Sequence, residues 1–117
     1  MLIEMQVLEQ VAPMIRSVAH PIRLRILDYL EQEGEPRTVT EIMRAAEASQ
    51  AVVSQQLRVL RNQGILTARR QKNYIYYSLQ NRNVLRILEC IRMHRARQNA
   101  VTAEAIGAND PDIRATC

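Results

Sequence analysis

Residues 49–64 read SQAVVSQQLRVLRNQG. Val53, Leu57 and Leu60 recur at helical spacing, Ser49 is a good N-cap, and Gly64 suits a C-terminal stop, so the segment reads as an amphipathic helix. Its polar side is unusual. No residue from Ser49 to Leu57 is charged, whereas a helix face made only for water normally carries charged side chains. Arginines arrive only at 58 and 61. An uncharged, hydrogen-bonding surface followed by cations calls for a partner with the same layout.

Upstream, Thr38 followed by Glu41 forms a capping-box pattern that opens a short helix through EIMRAAE. A tight connection near Glu47–Ala48 joins it to the helix at Ser49, which makes a helix-turn-helix. Before it, HPIRLRILDYLEQEG sets Pro21 at a first helical position and Gly34 at the cap. Ile22, Ile26, Leu27 and Leu30 form its buried stripe, Arg23, Arg25 and Asp28 are expected outside or in local pairs, and His20 reads as structural. The first helical pattern carries Leu8, Val11, Ile15 and Val18, with Pro13 expected to kink or divide it.

Beyond Gly64 the period shortens to two. ILTARR and YIYYSL are β-prone runs separated by QKN, with Asn73 suited to the left-handed turn position. They predict a hairpin whose tip carries Arg69, Arg70 and Lys72. A last helix is expected over about residues 82–98, with Val84, Leu85, Ile87, Leu88 and Ile91 covering more than one side. The reading is therefore mainly α with a β-hairpin wing: a winged-helix domain over 1–98 and a flexible tail over 99–117.

The bulk numbers agree with one small core. The chain has 117 residues, 47% hydrophobic and 24% charged, with four Tyr and neither Trp nor Phe. Three Gly and four Pro argue against an all-β sandwich or barrel. The net charge is +4, and residues 58–72 hold four Arg and a Lys without a single acid. Such a block reads as a polyanion-binding face, against the plainer alternative of a solvated surface. Acids at positions 4 and 9 exclude a signal peptide, no apolar run has membrane-spanning length, and two Cys make no disulfide framework. A reducing cytoplasm is the expected setting. With no nucleophile–base pair, carboxylate pair, Gly-rich phosphate loop or metal cluster, an enzyme is not expected.

SVAHPIRLRILDYL, SQAVVSQQLRVLRNQGIL and YIYYSL, in that order and across about residues 15–93, resemble the ArsR/SmtB-type winged-helix repressors of bacteria. The resemblance implies a homodimeric transcriptional repressor that binds a partly palindromic operator in double-stranded DNA and releases it on a chemical signal. It also implies pairing through the first and last helices, which places Leu8, Val11, Ile15, Leu85, Leu88 and Ile91 at the interface. The oversupply of aliphatics on the last helix points the same way. The chain departs from the family at Gln56, where His is frequent, at Glu47, where Gly is frequent, and at the wing tip, where QKN replaces a Gly-bearing turn. It also lacks the metal-site residues: Thr38, Val39 and Thr40 stand where metal-sensing relatives have Cys-x-Cys, and Asn81, Asn83, His94 and Arg97 stand at the last-helix site. One ligand of four cannot hold zinc tetrahedrally, so no metal and no cofactor are expected.

Within that frame each polar residue takes a role. Gln50, Ser54 and Gln55 are the candidate base readers, with Ser49 at the helix start and Ala51 against a thymine methyl. Gln56 is expected at a backbone or base edge. Arg58 and Arg61 suit phosphates, Arg69, Arg70 and Lys72 on the wing the backbone or minor groove of flanking DNA, and Tyr74 a further phosphate. One of Tyr76 and Tyr77 is expected in the core. Two alternatives stand beside this reading: a thiol-responsive repressor using Cys90 and Cys117, and a winged-helix module for protein or RNA.

Overall fold

The computed structural model describes residues 1–104, in five helices and three strands. The first helix, α1 (Met5–Val18), runs through Pro13 as one element, so the expected division does not occur. Pro13 removes one intrahelical donor at an exposed position, and Ser17 Oγ donates to Pro13 O at 2.7 Å one turn later. The loss stays local.

Helix α2 (Pro21–Glu33) starts and stops on its own residues. His20 Nδ1 accepts from the Ile22 N–H at 3.2 Å, Pro21 fills the first turn, and Gly34 closes the helix at φ 71 with its N–H on Leu30 O. A two-residue strand, β1 (Arg37–Thr38), follows, where only a turn is legible in the sequence. Two residues have no period to read; their pairing with a later strand defines them.

Helix α3 (Val39–Ala46) begins in a complete capping box: Thr38 Oγ1 accepts from Glu41 N–H at 3.3 Å, and Glu41 Oε1 accepts from Thr38 N–H at 2.9 Å. Glu47 ends it in the left-handed region at φ 53. Helix α4 (Gln50–Asn62) then starts on Ser49, whose Oγ accepts from Val52 N–H at 3.3 Å.

The hairpin comprises β2 (Leu66–Gln71) and β3 (Tyr74–Leu79). With β1 they make an antiparallel sheet in the order β1-β3-β2. The two-residue loop puts Lys72, not Asn73, at positive φ (57°). A two-residue hairpin loop can take positive φ at its first central position, and here that position falls on the lysine.

The chain divides into two compact units, Met1–Arg82 and the segment from Asn83 onward. The first is built on an aliphatic core in which Ile26, Leu27, Ile42, Val53, Leu57, Leu60, Ile65 and Leu66 are all essentially inaccessible. The second holds α5 (Val84–Glu104). Residues 99–104 are thus helical where a loose tail was expected, and the remainder of that tail lies outside the described residues. No helix among the described residues is long and apolar enough to cross a membrane.

Candidate nucleic-acid interface

Helix α4 divides by face as its apolar spacing requires. Val53, Leu57 and Leu60 are buried, whereas Ser49, Gln50, Ala51, Gln55, Arg58 and Arg61 are exposed and Ser54 is half-buried. The outward surface runs from uncharged hydrogen-bonding groups near the N-terminus to guanidiniums in the last two turns. Gln and Ser offer the directed bonds that base edges need, and arginine suits phosphate.

Gln56 does not belong to this surface. It is 8% exposed, and its Oε1 accepts from Arg23 Nε at 2.6 Å. Position 56 lies at helical spacing from Val53 and Leu60, which turns its side chain toward α2. The expected DNA contact is replaced by an internal one. Arg23 is likewise not the outward residue its charge suggested: it is half-buried and also donates from Nη1 to Ser17 O at 3.1 Å.

The wing has two faces with different residues. Leu66, Ala68 and Arg70 pair with Leu79, Tyr77 and Ile75, while Thr67, Arg69 and Gln71 pair with Ser78, Tyr76 and Tyr74. Because Leu66 is buried in the core, the first set faces the helices and the second faces away. Arg69 and Arg70, adjacent in sequence, therefore leave the wing on opposite sides. The outer set borders an open groove of about 460 Å³ lined by Pro36, Thr67, Arg69, Gln71, Tyr76 and Ser78, with Thr67 Oγ1 and Ser78 Oγ 3.0 Å apart. Tyr74 is 60% exposed near the tip. Tyr76 and Tyr77 are both half-buried on opposite faces, so neither is a full core residue.

The charges are segregated. Arg37 binds three carboxylates, Glu33 and Glu35 through Nη2 and Glu41 through Nη1, at 3.0, 2.8 and 3.0 Å. The Glu41 carboxyl is held below its ordinary value, first by the Thr38 backbone N–H and then by the Arg37 side-chain bond. The same bond raises Arg37. By contrast, Arg58, Arg61, Arg69, Arg70 and Lys72 take no ion pair among the described residues. Their charge is uncompensated, as a surface that meets phosphate requires.

Of the residues expected at a dimer interface, Leu8, Ile15 and Ile91 are exposed at 41%, 50% and 43%, Val11 and Leu85 are half-buried, and Leu88 is buried at 3%. Cys90 is half-buried on α5, while Cys117 lies outside the described residues. Among the described residues no three His, Cys, Asp or Glu side chains gather as a metal group.

Residues 20–68 match the arsR family of bacterial regulatory proteins. The chain is 38% identical over 87 residues to the HTH-type transcriptional regulator NmtR of Mycobacterium tuberculosis, covering 74% of this chain and 71% of that protein. The crystal structure of the transcriptional repressor PagR of Bacillus anthracis superimposes with a TM-score of 0.66 at 34% identity, over 75% of this chain and 99% of that one. The homodimeric winged helix-turn-helix DNA-binding domain Mb0332 of Mycobacterium bovis gives 0.65 at 27% identity, over 90% and 92%. A helix-turn-helix with an uncharged outer face and a basic wing, on a chain this similar to known regulators, belongs to the ArsR family of winged helix-turn-helix transcriptional regulators.

Proposed function

We propose that the protein is a repressor that binds a partly palindromic operator as a homodimer and leaves it on a chemical signal. One observation carries the reading: on α4, exposed Gln50 and Gln55, with half-buried Ser54 between them, precede Arg58 and Arg61, which have no acidic partner among the described residues. Base edges are read by groups of the first kind and phosphates held by groups of the second. Arg69, Arg70, Lys72 and Tyr74 extend the phosphate contacts along the wing. The dimer is supported by the homodimeric Mb0332 relative and by the apolar side chains that α1 leaves in solvent, Leu8 and Ile15 among them. A C2 dimer reads two half-sites about one helical turn apart.

The test is enrichment of a duplex from a random-sequence library, followed by titration of that duplex across salt concentrations. The reading predicts a two-fold-related consensus, bound about a thousandfold tighter than random duplex, with affinity falling steeply as salt rises. Failure to enrich any duplex, with retained binding to RNA or a protein partner, would favour the interaction-module alternative.

A second reading concerns the signal. The chain has two cysteines, Cys90 and Cys117, and a cysteine pair in a reducing compartment can serve as a redox sensor. On this reading oxidation at Cys90 changes operator affinity. Equal affinity of oxidised and reduced protein, with an unchanged thiol count, removes it.

A further inference from the structure

The aliphatic face of α4 turns one side of the helix inward but restrains its roll less sharply than a directed bond does. Val53, Leu57 and Leu60 are held by burial, and the hydrophobic effect has no direction. The roll nevertheless decides which side chains point outward, since neighbouring helical residues differ by about 100°. One polar contact on that buried face does have direction. Gln56 Oε1 accepts from Arg23 Nε at 2.6 Å, a short charge-assisted bond in a site where Gln56 is 8% exposed.

The same guanidinium holds a second element. Its Nη1 donates to Ser17 O at 3.1 Å. Ser17 lies in the last turn of α1, where carbonyls have no partner inside the helix and a cation is favoured. Ser17 is itself buried at 7% and bonded back to Pro13 O. Arg23 is thus a planar fork with one prong on the end of α1 and another on the middle of α4.

We infer that the Arg23–Gln56 bond positions the reading helix, setting its roll and tying it to α1, so that Gln50, Ser54 and Gln55 meet the base edges in register. Arg23 and Gln56 are positioning residues; neither touches DNA. The inference rests on the reading that α4 enters the major groove. It also gives α1 a mechanical part: besides packing directly against α4, that helix is tied to it by one directed link.

The experiment compares Gln56→Leu, Gln56→Glu, Arg23→Met and Arg23→Lys on two duplexes, one enriched from a random library by the wild-type protein and one of random sequence, at one salt concentration. Gln56→Leu and Arg23→Met are expected to lower the ratio of enriched to random affinity about tenfold, the size of one charged hydrogen bond, with random-duplex affinity unchanged. Gln56→Glu keeps an acceptor for Arg23 and is expected to keep the ratio. The double variant Arg23→Met/Gln56→Leu should lose no more than either single one. Should Arg23→Met fail to fold, Arg23→Lys still decides, because an ammonium cannot hold both prongs and the ratio should fall with the helical circular dichroism retained. In the wild type without DNA, the Arg23 Nε–H proton should be protected from exchange, and Gln56→Leu should abolish that protection. Wild-type ratios in Gln56→Leu, equal loss in Gln56→Glu, or losses that add in the double variant would overturn the inference. A wild-type protein that enriches no duplex, with the Nε–H still protected, would instead overturn the DNA-binding reading and leave the bond.

Discussion

Gln55 and Gln56 are consecutive in α4 and do opposite things: Gln55 stands in solvent, whereas Gln56 is 8% exposed and holds Arg23 at 2.6 Å. Two chemically identical side chains, one helical step apart, thus serve an outer and an inner partner. The uncharged outer face of α4 is as narrow as a single helical stripe. Strain, charge and cover around that stripe each carry a measurable consequence.

Glu47 turns the chain between α3 and α4 at φ 53. A side chain in the left-handed region costs about 1 kcal/mol that glycine avoids. Glu47→Gly should therefore stabilise the protein by up to about 1 kcal/mol, since part of the relief is offset by the added freedom of the unfolded chain. Thermal unfolding reads the gain as a rise of several degrees. A fall in Tm would mean that the Glu47 side chain contributes something the turn needs.

Lys72 occupies the same region at the wing tip, φ 57. A strained residue that keeps its charge is what a phosphate contact at that point would retain. Lys72→Gly should stabilise the hairpin yet weaken duplex binding, lowering the slope of log affinity against log salt by about 0.9, one phosphate contact. An unchanged slope would take Lys72 off the interface.

Glu41 anchors the capping box and carries a lowered pKa, chiefly through the Thr38 N–H and next through Arg37. A carboxyl whose folded pKa is depressed contributes stability in full above its unfolded pKa of about 4.3, and loses it as the pH falls through the lower folded value. Glu41→Gln should be less stable than wild type at neutral pH, with the difference closing in that acid range. Parallel denaturation curves at every pH would show that the charge is not what the cap uses.

Ile15 is 50% exposed on α1, beside an exposed Leu8. If this face meets a second copy, Ile15→Glu buries a charge there and weakens association by on the order of 3 kcal/mol. Sedimentation should show a monomer with unchanged helix content. A variant that still sediments as a dimer would move the interface elsewhere.

Much of this was legible in residue order. Caps at Ser49, Thr38 and Gly34 and the apolar stripe of α4 are local signals, and the helices begin and end where those signals stand. What was illegible depends on partners far along the chain. β1 exists because Arg37 and Thr38 pair with Tyr77 and Tyr76. Lys72 took the positive φ because loop length, not residue preference, sets which position turns. Pro13 removes one donor from α1, and the helix nevertheless runs through it as one element. The link from Arg23 to Gln56 spans 33 residues. A signal for it did exist: Arg23 lies at helical spacing to Ile26, Leu27 and Leu30, and Gln56 to Val53 and Leu60. Two polar residues each set in a buried stripe are the mark of a pair.

The central claim is that the uncharged stripe reads sequence while the arginines and the wing hold the backbone. The most direct measurement compares Gln55→Ala and Arg70→Ala on an enriched duplex and on random duplex over a range of salt. Gln55→Ala should cost about 1–3 kcal/mol on the enriched duplex alone. Arg70→Ala should weaken both alike and flatten the salt dependence. Equal losses on both duplexes for Gln55→Ala would contradict the account.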